Sequence, residues 1–100
     1  EIQACRLLTL DAARKLDEGD EARVEVSLIK FYAAQVLNDV IDRAIQTHGA
    51  RGLTDETPLA GMYEQARAAR IYDGPDEVHR MVVSRRILKE FADGGTYRFD

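Results

Sequence analysis

Residues 21–48 read EARVEVSLIKFYAAQVLNDVIDRAIQTH, and this stretch decides the fold. The apolar side chains within it recur at helical spacing, at Val26, Ile29, Ala33, Val36, Leu37, Val40, Ala44 and Ile45. The spacing predicts one helix from about Glu21 to Thr47 or His48, which would be roughly 40 Å long at the usual rise per residue. Because a helix of that length usually packs against more than two short neighbours, we expect it to lie at the centre of a helical domain.

Two shorter helices, one before and one after the long helix, have clear boundary signals. The first is predicted from about Ile2 to Leu16, and Gly19 is expected to end it. Thr57 and Pro58 have the pattern of an N-cap followed by the first residue of a third helix, where a missing N–H costs nothing.

A Gly-Pro turn separates the third helix from a fourth. The third is predicted to end at about Arg70, and Pro75 is expected to open the fourth, which stops before residues 93–95. No alternating strand pattern is present. The sequence therefore predicts an all-α, antiparallel four-helix bundle over residues 1–95, with a flexible tail over 96–100.

Composition limits the classes of function. The net charge is −4 and no run of basic residues is present, which argues against nucleic acid as the main partner. No apolar run is long enough to insert into a membrane. Cys5 cannot form an internal disulfide, which fits a reducing compartment, and it is interpreted as a core or surface thiol. His48 and His79 lack the converging ligands that a metal site requires.

Two loops carry the chemistry. The 46–53 loop, QTHGARGL, contains Gly49 and Gly52, whose small size would let a phosphate-bearing or planar ligand approach the backbone. The alternative is a glycine C-cap that ends the long helix. The spacing is not that of a phosphate loop or a dinucleotide fingerprint, so both interpretations stay open.

The second loop is the turn over residues 71–77, IYDGPDE, and its first part, residues 71–75, is named the Asp73 turn. This loop can hold the Asp73 carboxylate at a cleft as a general base. The alternative is that its acidic residues only cap the fourth helix. Arg80 could orient this loop. The arginines nearby are otherwise expected to form surface ion pairs with Glu64, Glu77 and Glu90.

The order and separation of these loops resemble the C-terminal helical domain of acyl-CoA dehydrogenases. In that family a Gln followed by Gly-Gly meets the flavin of a neighbouring subunit, and a Tyr-Glu-Gly segment carries the catalytic base. Residues 72–74 read YDG, and the wording of residues 73–79, DGPDEVH, is most like the branch of family members 10 and 11. Since the chain begins at Glu1 within an expected helix, we expect a fragment of a larger flavoenzyme that lacks the first helix of this domain.

The resemblance implies a role for each matching residue. Asp73 would be the base that removes the α-proton of an acyl-CoA thioester, while the β-hydrogen leaves as hydride to FAD. Tyr72 and Gly74 would contact the substrate. The positions that match flavin contacts are Gln46, Gly49, Ala50, Pro75 and Glu77.

The resemblance also implies partners and a location. A homodimer or homotetramer, an electron-transfer flavoprotein or similar acceptor, and a cytoplasmic or mitochondrial location are expected. The isolated fragment would be inactive, because the family binds FAD mainly through two preceding domains.

Three departures from the family pattern leave alternatives open. Ala50 replaces the second Gly, Pro75 replaces a residue whose hydroxyl and N–H serve the flavin, and Asp73 is one methylene shorter than Glu. The parent could therefore be a flavoenzyme of the same fold that acts on another carbon acid, similar to nitroalkane oxidases, or the base could lie outside this chain. A non-catalytic helical interaction module is the remaining alternative.

Overall fold

A computed structural model describes residues 1–98 and contains four α-helices and no strand within that range. The elements in chain order are α1 (Ile2–Asp17), α2 (Arg23–His48), a 3₁₀ turn (Gly49–Leu53), α3 (Leu59–Ala68) and α4 (Asp76–Ala92). The prediction of an all-α domain with four helices is confirmed.

Helix α2 lies at the centre, as its length and apolar stripe predict. Within residues 1–98, every backbone contact between two α-helices involves α2, which packs against α1, α3 and α4. The buried apolar residues are small: Ala12, Ala22, Val24, Ala34, Val36, Ile41, Ala66 and Val83. Small side chains let the helices approach closely, but many larger apolar side chains, such as Leu7, Leu53 and Leu88, stay more than half exposed.

Two helix starts differ from the predictions. α2 begins at Arg23, because Ala22 adopts a left-handed conformation with φ of 46° and its N–H donates to the Asp20 carboxylate at 2.9 Å. Thr57 does not cap α3. Its hydroxyl is buried and has no hydrogen-bond partner among the described residues, and Pro58 is the N-cap residue.

The remaining boundaries differ by one or two residues. α3 ends at Ala68, after which turn hydrogen bonds continue to Arg70. Pro75 precedes α4 as its N-cap, in an extended conformation, instead of being its first helical residue. The segment from Gly49 to Leu53, expected as irregular loop, forms the 3₁₀ turn.

A buried polar cluster joins α1, α2 and the C-terminal segment. The Lys15 ammonium donates to the Glu25 carboxylate at 2.7 Å, and the Tyr97 hydroxyl donates to the same oxygen. Burial raises the pKa of Glu25, but the hydrogen bonds from Lys15 and Tyr97 outweigh it and leave that pKa below its ordinary value. Tyr97 thus makes a specific contact within the predicted flexible tail 96–100, of which residues 99 and 100 lie outside the described residues.

Replacing Glu25 by Gln should destabilise the domain much more than replacing the exposed Glu18, which pairs with Arg14. E25Q leaves the buried Lys15 ammonium with only its longer pair to Asp11, at 3.6 Å, and should cost up to about 3–5 kcal/mol, whereas E18Q should cost under about 1 kcal/mol. Urea denaturation followed by circular dichroism measures both. Equal effects of the two variants would contradict a stabilising role for the buried pair.

The same pair predicts the sign of the acid dependence. Because the folded-state pKa of Glu25 is lowered, its contribution is fully present above its ordinary value of 4.5 and is lost as pH falls through the folded-state value. The stability difference between wild type and E25Q should therefore shrink progressively over the range below pH 4.5. A difference that stays constant over this range would contradict the assignment.

Candidate functional site

The Asp73 turn follows α3 and has an unusual backbone. Asp73 has φ of +52° and Gly74 has φ of +88°. Positive φ is uncommon for residues with a side chain, although Asp tolerates it better than most. The Asp73 side chain is exposed. The turn therefore presents a carboxylate from a constrained backbone, and three contacts from neighbouring elements hold that backbone.

The first contact is a partly buried ion pair that closes the turn. Asp76 is only 2% exposed, and its carboxylate accepts a hydrogen bond of 2.7 Å from Nε of Arg70. The Asp76 N–H donates to the Arg70 carbonyl at 3.2 Å, so these two residues are joined by a main-chain hydrogen bond as well as by the ion pair. Residues 70 and 76 thus bring the end of α3 and the start of α4 together, with the Asp73 turn between them.

The second contact comes from α2. The Lys30 ammonium donates to the carbonyl of Ala69 at 2.6 Å and to that of Gly74 at 3.2 Å. It also lies 5.4 Å from the centroid of the Tyr72 ring, which is cation–π distance. One side chain of the central helix therefore holds both ends of the turn and orients its aromatic residue.

The third contact comes from α4. Nε2 of His79 lies 3.0 Å from the Asp73 carbonyl oxygen, to which it can only donate. The ring also fills the space beside Gly74, because a Cβ at position 74 would lie 2.8 Å from Nε2. Gly74 is therefore required twice, once for its positive φ and once for its contact with His79.

Arg80, which the sequence offers as a residue that could orient the loop, packs on α2 instead. The Arg80 guanidinium stacks over the Phe31 ring at 5.2 Å and makes no ion pair within residues 1–98, whereas Arg70 orients the turn. The predicted surface pairs of nearby arginines with Glu64, Glu77 and Glu90 are also absent from the described residues.

Lys30 was missed, although the sequence holds a signal for it. Lys30 lies four residues after Val26 and three before Ala33, so it falls on the apolar stripe of α2. A charge at such a position requires a partner from another element. The partners are main-chain carbonyls, which are not distinguishable in a sequence.

An open groove of about 340 Å³ lies beside the turn. α4 and the turn form one wall and the N-terminal part of α2 forms the other, and the residues are Glu21, Arg23, Val26, Ser27, Asp73, Gly74, Val78, His79 and Val82. The three valines make much of this surface apolar. Asp73 is therefore a carboxylate at the edge of a partly apolar groove, as expected for a base that acts on an apolar substrate.

The 46–53 loop lies at the other end of α2. Gln46, Gly49 and Ala50 are all exposed. The Gly49 N–H donates to the Gln46 carbonyl, and the φ of +62° at Gly49 ends the helix, so the C-cap interpretation holds at this residue. Gly52 has a packing role, since a Cβ there would lie 2.9 Å from the Ile45 carbonyl oxygen.

The two loops do not converge within one chain. Lys30 touches the Asp73 turn, and Gln46 is roughly 24 Å further along α2 by its helical rise. Pro75 instead belongs to the Asp73 turn, and Glu77 lies just after it. Pro75 has no N–H, and its carbonyl accepts from the amides of Val78 and His79. Glu77 is exposed on the first turn of α4.

Within residues 1–98, no group of three or more His, Cys, Asp or Glu side chains is arranged to hold a metal ion. None of the described helices combines the length and apolar character that crossing a membrane requires.

Comparison with known proteins identifies the family. The family model described as "Acyl-CoA dehydrogenase, C-terminal domain" matches residues 1–88. The chain is 53% identical over 90 residues to the Mycobacterium tuberculosis protein named "Probable acyl-CoA dehydrogenase FadE2". The matched region is 88% of this chain and 22% of that protein. Acyl-CoA dehydrogenase family member 11 of Rattus norvegicus is 42% identical (91% of the chain, 12% of that protein), and member 10 of Mus musculus is 44% identical (89% and 8%).

A solved structure agrees with the sequence matches. A structure from Mycobacterium abscessus assigned to an acyl-CoA dehydrogenase superposes with a TM-score of 0.87 and 48% identity, over 90% of this chain and 23% of that one. The chain thus spans less than a quarter of the length of these relatives. The chain belongs to the acyl-CoA dehydrogenase family and corresponds to the C-terminal helical domain of that family.

Proposed function

We propose that this domain supplies the general base and part of the substrate site of an FAD-dependent enzyme that dehydrogenates acyl-CoA thioesters between Cα and Cβ. The observation that supports it most is the Asp73 turn, in which a carboxylate on a left-handed backbone is held at the edge of a partly apolar groove. A turn that only capped α4 would not need an ion pair, a lysine and a histidine to hold it.

Asp73 takes the α-proton of the thioester in this proposal. The electrons of the Cα–H bond form the double bond to Cβ, and the β-hydrogen leaves with its electron pair. FAD, when bound, supplies the acceptor for that hydride. The chain contributes a carboxylate within reach of the substrate and a groove whose valines exclude water from one side of the acyl chain.

In this proposal Gly74 lies in the wall of the groove that takes the reacting carbons, and Tyr72 contacts the substrate from outside that groove. The Tyr72 ring is more than half exposed and lines a separate shallow pocket with Leu37, Ile41 and Met62, against which the substrate can pack. Gly74 lines the groove next to Asp73, with the His79 ring packed directly beside it. Asp is shorter than Glu, so the substrate would have to lie correspondingly closer to the turn.

The residues at the end of α2 fit a flavin that approaches from outside the chain. The carboxamide of Gln46 is exposed, and a Cβ at Gly49 would meet nothing within 4 Å, so the backbone there is open. Ala50 adds only a methyl group. Since these residues lie roughly 24 Å from the Asp73 turn, they would serve the cofactor of a second subunit while Asp73 serves its own.

Pro75 and Glu77 would contribute less to the cofactor than the resemblance implies. The main chain of Pro75 offers no free donor, and its carbonyl is used by α4, which leaves the apolar ring surface. Glu77 is an exposed carboxylate that could accept a hydrogen bond from the cofactor.

Two kinds of partner accompany this proposal. The exposed apolar side chains of the domain favour packing against a second subunit and the remaining domains of the parent. A relative from Acetobacterium woodii, 36% identical over 89% of this chain, is named "Caffeyl-CoA reductase-Etf complex subunit CarC". That name supports an electron-transfer flavoprotein as the electron acceptor. The domain without its parent is expected to be inactive.

Asp73→Asn should abolish catalysis by the full-length parent without loss of FAD. Removing a general base lowers the rate by about 10²- to 10⁴-fold. Anaerobic titration with a panel of acyl-CoA thioesters, followed by bleaching of the flavin absorbance, measures it, with Asp55→Asn in an exposed loop as the matched control. Bleaching of D73N at the wild-type rate would place the base outside this chain, and bleaching by nitroalkanes alone would favour the carbon-acid alternative.

The subunit arrangement predicts complementation between two inactive variants. Ala50→Trp places an indole on the exposed 3₁₀ turn and should block the cofactor of the neighbouring subunit. When D73N and A50W subunits are mixed in equal amounts, half of the dimers contain one subunit of each kind. In such a dimer, one of the two sites combines an intact Asp73 with an intact Ala50 from the neighbouring subunit. About a quarter of the wild-type activity should therefore return. Activity that stays absent in the mixture, while a mixture of D73N with wild type is active, would show that both loops serve one subunit's cofactor.

A further inference from the structure

Two successive carbonyl groups of the Asp73 turn accept hydrogen bonds from side chains of different helices. The Asp73 carbonyl accepts from Nε2 of His79 on α4 at 3.0 Å, and the Gly74 carbonyl accepts from Lys30 on α2 at 3.2 Å. The two peptide planes that follow the Asp73 side chain are therefore both held. Rotation of either plane would move the carboxylate.

The contacts of the His79 ring fix which nitrogen carries the proton. Nε2 faces a carbonyl oxygen and must donate, whereas Nδ1 is buried and has no hydrogen-bond partner among the described residues. The neutral ring with its proton on Nε2 satisfies both conditions. Nε2 already carries its proton, and the unprotonated Nδ1 is buried, so neither nitrogen is placed to take a proton from a substrate in the groove that the ring lines.

We propose that His79 is a positioning residue for the reaction, which acts by holding the Asp73–Gly74 peptide so that the Asp73 carboxylate meets the substrate. This rests on the proposed function of Asp73 as the base. Loss of the Nε2 donor would free a left-handed residue to relax toward a more favourable φ, because nothing else in residues 1–98 bonds that carbonyl. A displacement on the order of 1 Å at a reacting group can lower the rate by about 10²-fold.

Leu and Gln substitutions at His79 separate hydrogen bonding from imidazole chemistry. H79L keeps an apolar side chain in the groove and removes the donor. H79Q offers an amide N–H near the position of Nε2. In the full-length parent loaded with FAD, H79L should lower kcat by about 10- to 100-fold, with KM for the thioester and FAD content within about twofold of wild type.

H79Q should keep kcat within about threefold of wild type, and the pH profile of kcat/KM should keep its shape in both variants. Ser84→Ala, on the exposed side of the same helix, is the control and should behave as wild type. Steady-state kinetics across pH, together with flavin absorbance for the FAD content, provides every readout. Should H79L lose FAD or fail to fold, H79Q alone still tests the proposal.

The outcomes separate this inference from the proposed function. Wild-type kcat in H79L, with D73N inactive, overturns the positioning role alone. An H79Q variant that is folded, loaded with FAD and as impaired as H79L would overturn it too, since the imidazole itself would then be needed. An active D73N overturns both the base assignment and the positioning role.

Discussion

Polar side chains of α2 reach across to α1, to α3 and to the turn that precedes α4, and the arrangement of the domain depends on these contacts. Near its start, Glu25 pairs with Lys15 of α1. Further along, Lys30 binds the carbonyls of Ala69 and Gly74, and the Asn38 amide donates to the Ala66 carbonyl of α3 at 3.0 Å. The buried apolar side chains are mostly small, so burial alone says little about which helix lies where. These three polar contacts fix the positions of α1 and α3 along α2.

The Asp73 turn shows how contacts of this kind can fix the position of a reactive side chain. A left-handed Asp followed by a left-handed Gly is a strained arrangement that persists only when its surroundings hold it. The turn is held by a hydrogen bond from Lys30 of α2, one from His79 of α4 and the ion pair of Arg70 with Asp76. The carboxylate of Asp73 stays exposed, while the atoms that determine its position are bonded. This combination suits a general base better than a surface cap, because a base requires fixed geometry as well as access.

The sequence predicted those features that depend on local pattern. The four helices follow from apolar spacing, and the turns follow from Gly49, Gly74 and Pro75. The features it missed depend on contacts between distant residues. Lys30 bonds a carbonyl 44 positions away, and no side-chain pattern marks a carbonyl acceptor.

The sequence also does not show which of the two nearby arginines pairs with Asp76. Arg80 is closer in sequence to Asp76 than Arg70 is, yet it follows the helix away from the turn and packs on Phe31. Thr57 has the residue type of an N-cap, but its hydroxyl faces inward. Both outcomes depend on the direction of a side chain after folding, which residue type alone does not specify.

A crystal structure of the full-length parent with FAD and a non-reactive acyl-CoA analogue would show whether Asp73 is placed to act as the base. We expect the Asp73 carboxylate to be the nearest titratable group to the α-carbon of the thioester, at about 3–3.5 Å, the distance from which a base can act. We also expect the hydrogen bonds from Lys30 and His79 to the turn to be retained. A carboxylate from outside this chain closer to the α-carbon, with Asp73 turned to solvent, would contradict the assignment of Asp73 as the base.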